Sequence, residues 1–149
     1  MYGKGAARCG NARWRRITEE RCRAKSVFHF DVQGSVAKST HAGLPWLRFL
    51  RQKLGLQLHF WPFDGWMPVQ GQSVIAEVYP ALWSRSFPTE GRNSHQHDAY
   101  SAARWMQESD ASGRLGFHLQ SQMEHTECAI ALIEGWILDV DQTPKKSCK

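Results

Sequence analysis

The sequence predicts an α/β fold, a mixed sheet with flanking helices, and three observations lead there. Short runs rich in β-branched and aromatic residues alternate with stretches whose apolar residues recur at helical spacing. At 149 residues the chain is long enough for one hydrophobic core and short for two. Its composition, 42% apolar and 22% charged, is that of an ordinary folded protein, and it holds no apolar run of membrane-spanning length.

Taken in order, residues 1–25 read as a basic, poorly ordered leader. Eight Lys/Arg against Glu19 and Glu20 put +6 on residues 1–26, whereas the remainder carries −1, so the net +5 belongs to the leader. Gly3, Gly5 and Gly10 interrupt it, and Arg13-Trp-Arg-Arg16 shows no apolar stripe. Such an arm either follows a phosphate backbone or is simply solvated. A single domain is expected over 26–140 and a disordered tail over 141–149.

Within the domain, Ser26–Asp31 predicts a strand that ends in a turn near Gly34. From Leu44 the pattern turns helical: Pro45 suits a first helical position, Leu47, Leu50 and Leu54 share a face, and Gly55 stops the helix. Leu56–Trp61 alternates as a second strand and ends at Pro62. A loop over 62–72 leads to a third strand over Ser73–Tyr79. A helix from about Ser94 offers Ala99, Ala102, Ala103 and Met106 as a slim packing face. After a Gly- and Gln-rich connection, Ala129, Leu132, Ile133 and Trp136 give the face of a last helix that fades near Asp139. The four cysteines form no C-x-x-C pair and read as reduced thiols, which fits a cytoplasmic location.

Two carboxylates stand out chemically. Glu77 lies near the end of an apolar strand, where an unpaired charge is costly, and strand ends of α/β sheets are where ligands collect. Asp98 falls in the first turn of the following helix, where the dipole favours negative charge. Together they suit a shared divalent cation: metal-assisted phosphodiester hydrolysis needs converging carboxylates, and magnesium or manganese would leave room for water and phosphate. Each acid has a plainer reading, Glu77 as an outward strand residue and Asp98 as a partner of the dipole. Asp31 is a third candidate ligand or equally a turn-former. His95 and His97, two apart, do not share a helix face and make a poor metal pair. Lys38-Ser-Thr40 after Gly34 lacks the spacing of a nucleotide-binding P-loop.

The run from Phe28 to Leu47, together with Trp61-Pro-Phe-Asp64, Ala76-Glu-Val-Tyr-Pro80, His97-Asp-Ala-Tyr100 and Glu134-Gly-Trp-Ile137, resembles a family of predicted RNase H-like nucleases, the DUF429 type. The likeness extends over about 110 residues, Ser26 to Ile137, with the motifs in family order. It implies a partial RNase H-like fold, Glu77 and Asp98 as metal-binding catalytic acids, magnesium or manganese as cofactor, and nucleic acid as substrate. It also implies an opening catalytic strand that this sequence does not offer before Ser26, so the chain reads as the carboxyl-terminal part of a longer pattern. Loss of that strand predicts weak or absent nuclease activity and an exposed edge that favours self-association. The alternative is a non-catalytic remnant that binds nucleic acid or a protein. No membrane partner is expected.

Overall fold

A computed structural model describes residues 14–29, 36–120 and 123–140. Asp31, the first half of the expected leader and the expected tail therefore lie outside the described residues. The second half of that leader does not behave as one. Residues 14–16 run into a helix, α1 (Ile17–Cys22), whose first turn is among the most buried parts of the molecule: Thr18 and Glu19 are 0% and 1% exposed. The expectation of poor order fails for 14–25 because the segment is held by polar contacts, which an apolar-period test does not register. Residues 26–29, expected as a strand, instead turn back, with His29 N–H donating to the Ser26 carbonyl.

α2 (Ala37–Leu54) starts well before Leu44, so Pro45 sits inside the helix rather than at its first position. Gly55 ends it as expected, in a positive-φ conformation that glycine accepts without a Cβ penalty. A short 3-10 turn, Gly55–Gln57, leads into β1 (Leu58–Phe60), which pairs in parallel with β2 (Ser73–Ile75). Both strands fall inside the predicted ranges but are shorter. Among the described residues this two-stranded parallel sheet is the whole of the regular sheet, extended by one parallel bridge between Glu77 and Ile137. The chain is thus mixed α/β, with far less sheet than the sequence suggests.

The free side of β1 is closed by its own loop. Phe60 N–H donates to Asp64 and Asp64 N–H donates to the Phe60 carbonyl, so part of the edge is capped within the chain. Two 3-10 turns, Pro80–Leu82 and Ser84–Ser86, connect β2 to α3 (Ser94–Ala111). Asn93 and Gln96 cap α3 reciprocally, each side chain accepting from the other's backbone N–H at 2.9–3.0 Å. Its buried residues are Ser101, Ala102 and Ser109, not the alanine face the periodicity suggests: Ala99 and Ala103 are exposed. The rotation brings Trp105 onto Trp83 in a stacked pair at 4.2 Å, a larger apolar contact than an alanine stripe provides.

α4 (Leu115–Leu119) and α5 (His125–Glu134) complete the helices. α5 also turns another face inward: Ala131 is buried and Ile133 is 82% exposed. Gly135, at φ 78°, redirects the chain so that Trp136, Ile137 and Leu138 fill the core from an extended segment. They pack with Trp61, Leu119 and Ala24, and the Trp61 indole N–H donates to the Leu119 carbonyl at 3.0 Å.

Candidate functional site

The site grows from the carboxyl end of β2. Backbone pairing there is shared out between two distant segments: Leu138 N–H donates to the Glu77 carbonyl, and Ile137 N–H donates to the buried Thr18 hydroxyl. Residues 14–29, the strand end and the segment after Gly135 are thereby fastened at one point. Arg16 occupies that point. Its Nη1 and Nη2 donate to the two carboxylate oxygens of Glu77, each at 2.7 Å, while Nε donates to Glu19 at 3.0 Å. Nη1 also reaches the Glu134 carbonyl at 3.3 Å. The fork is the bidentate geometry that arginine makes with carboxylates.

Glu19 lies beneath the guanidinium and is fully used. One oxygen accepts from Arg16 N–H, and the other accepts from Arg16 Nε and from Val27 N–H. Burial alone would lower the Arg16 pKa. Glu77 and Glu19 outweigh it and raise it, so the guanidinium is a fixed positive charge.

Above this network opens a cleft of about 300 Å³. Glu77 and Asp98 both line it, together with Arg16, Glu19, Lys25 and Tyr79. The two acids singled out in the sequence thus face one space, brought there by the strand end and by the first turn of α3. Their states differ. Glu77 is held by Arg16, with its side chain 41% exposed. Asp98 makes no hydrogen bond or ion pair with the described residues.

No family model, curated protein or solved structure matches the chain. The residues themselves must carry the functional reading. Among the described residues, no three His, Cys, Asp or Glu side chains gather as a metal-holding group. Two carboxylates on one cleft are the hard oxygen donors that magnesium takes, although both oxygens of Glu77 are engaged by Arg16. The third candidate, Asp31, lies outside the described residues. His97 is turned away from metal duty: its Nε2 is 2.8–3.0 Å-class bonded at 2.9 Å to the Ser84 carbonyl, fixing the ring beside the 3-10 turn.

Arg16, Glu19 and Lys25 escaped the sequence reading, because net charge there was taken as a property of the whole segment. One signal was present. Glu19, three residues after Arg16, sits at the spacing at which a helix-start carboxylate returns to a preceding backbone N–H.

Proposed function

We propose that the chain is a nuclease-type phosphodiesterase scaffold of the RNase H-like class, acting on nucleic acid, with Glu77 and Asp98 as its acid pair. One observation supports this above the others: two carboxylates 21 positions apart in the sequence line a single cleft. Magnesium or manganese, held between Glu77 and Asp98, would supply activation of water and charge neutralisation at the phosphate. Asp98 contributes a carboxylate that carries no protein partner among the described residues. Glu77 contributes one only by giving up its fork with Arg16. Arg16 and Lys25 line the same cleft and offer the positive charge that a phosphodiester would meet.

A second reading is favoured by the Arg16–Glu77 fork itself: a scaffold whose acid is permanently neutralised and which binds nucleic acid, or a protein, without cleaving. Calorimetric titration of Mn²⁺ into the wild type, Glu77→Gln and Asp98→Asn separates the two, alongside cleavage of labelled single- and double-stranded oligonucleotides. The nuclease reading expects one saturable ion site that both substitutions weaken by at least about tenfold, from loss of roughly 1.4 kcal/mol or more. Equal ion binding by all three proteins refutes the acid pair. Oligonucleotide binding without divalent ions and without cleavage in their presence supports the second reading.

A further inference from the structure

We propose that α2 is an interfacial helix that docks on an anionic phospholipid surface. This rests on a surface separate from the Glu77–Asp98 cleft and does not depend on the nuclease reading. From residue 32 to residue 63 the chain contains no acidic residue, while Lys38, Arg48, Arg51 and Lys53 are all on α2. At helical periodicity Trp46, Leu47, Leu50 and Leu54 fall within one arc of about 100°. Arg51 and Lys53 flank that arc, and Arg48, His41 and Lys38 occupy the rest. A Trp/Leu face bordered by cations, with no anion, is the composition of helices that lie in a bilayer interface.

The apolar face is largely open to solvent. Trp46 is 70% exposed, and Phe49, edge-to-face with it at 6.4 Å, is 52% exposed. Leu56, just past the helix, is 91% exposed. The body holds α2 near its ends. Ala37 is buried at the start, and near the finish Arg51 pairs with Asp64 at 2.9 Å and lies over the Phe60 ring at 4.3 Å.

Those attachments choose the occupant. A groove that wraps a basic amphipathic helix needs access around it, which the anchored ends deny; a flat surface needs only the outer face. Nucleic acid would complement the charge and could stack on Trp46, but it has no use for Leu44, Leu47, Leu54 and Leu56. A second copy would bring cationic helix against cationic helix. An anionic bilayer satisfies both halves of the pattern, apolar residues entering the acyl boundary and cations meeting headgroups. The sequence expectation of no membrane partner rested on the lack of a spanning segment, and indeed no described helix is long and apolar enough to cross a membrane. An in-plane helix is a different case.

The test is co-sedimentation of the full chain with phosphatidylcholine vesicles, with and without about one-third phosphatidylserine. Binding is expected to be at least about tenfold stronger to the anionic vesicles and to fall with added salt. Trp46→Glu should abolish binding with an unchanged far-UV circular dichroism spectrum, since that side chain is mostly in solvent. Arg48→Gln/Lys53→Gln should remove the preference for anionic lipid. Equal binding to both vesicle types, no binding to either, or Trp46-dependent self-association or oligonucleotide binding in place of lipid binding would each overturn the proposal.

Discussion

Replacing Glu19 by Gln tests whether residues 14–29 belong to the folded body. Both carboxylate oxygens of Glu19 accept hydrogen bonds, one from Arg16 N–H and the other from Arg16 Nε and Val27 N–H. A glutamine amide therefore sets a donor against a donor whichever way it is turned. Its side chain is 1% exposed, so water cannot repair the mismatch. The charge that offsets the buried end of Arg16 is lost as well. Breaking a buried pair on one side costs about 3–5 kcal/mol, a large part of the total stability of an ordinary domain. Glu77→Gln removes the same charge from the other end of the same guanidinium, but Glu77 is 41% exposed and both groups can turn toward solvent. Screening reduces its cost to about 1–2 kcal/mol. With an m-value of about 2 kcal/mol/M, urea unfolding followed by circular dichroism should show the midpoint falling by about 2 M for Glu19→Gln and by about 0.5–1 M for Glu77→Gln. A change within about 0.5 kcal/mol for Glu19→Gln, the range of ordinary surface substitutions, would refute the reasoning and return 14–25 to the status of a loose leader.

Two further outcomes follow from the geometry. Gly135→Ala should lower thermal stability by about 1–3 kcal/mol, because the residue sits at φ 78° and an added Cβ would lie 2.9 Å from the Phe63 ring and 3.4 Å from Arg16; an unchanged melting temperature would contradict this. Asp64 is pushed upward by burial, but the Phe60 N–H and Arg51 outweigh that and hold its pKa below the ordinary carboxylate value. A depressed folded-state pKa means its stabilising contribution is complete above the unfolded value and is lost as pH falls through the folded one. The Asp64 carboxyl should thus titrate below about pH 4 by NMR, with the β1 edge contact persisting down to that point; a midpoint at or above the ordinary value would be the contrary result.

How much of this was legible in the sequence depended on what kind of force fixed each element. β1 and β2 could be read because alternation and β-branching report directly on strand burial, and the stop at Gly55 could be read because glycine marks a backbone need. Asp98 was placed in the first turn of α3 by the polar residues ahead of it, and Asn93 and Gln96 do cap that turn. The inward faces of α3 and α5 were misread. Small or aliphatic stripes were given the packing role, whereas aromatic stacking of Trp105 on Trp83 and the turn at Gly135 decide the rotations. The start of α2 was missed because Lys38, Ser39 and Thr40 carry no apolar period. Arg16 and Glu19 were hidden most thoroughly, since their partners, Glu77 and Ile137's neighbour Thr18 contact, come from parts of the chain far from the leader.

The unequal states of the two cleft acids bear directly on the proposed activity. Around the cleft, Arg16 and Lys25 stand against Glu19, Glu77 and Asp98, an excess of one negative charge among these five residues. Glu19 and Glu77 share Arg16, so the carboxylate with no protein partner is Asp98. A cation entering the cleft would first meet Asp98, and recruiting Glu77 would require the loss of two charge-assisted hydrogen bonds worth about 1.5–3 kcal/mol each. That cost weakens two-carboxylate ion binding relative to a site whose acids are both unpaired. It follows that weak ion affinity by itself does not argue against the acid pair, whereas the ranking of Asp98→Asn against Glu77→Gln does discriminate. Loss of Asp98 should remove ion binding outright, while loss of Glu77 also frees Arg16 to meet a phosphate, so nucleic-acid affinity should rise as ion affinity falls. A fall in both on Glu77→Gln would mean that the fork with Arg16 shapes the cleft and is not a competitor within it.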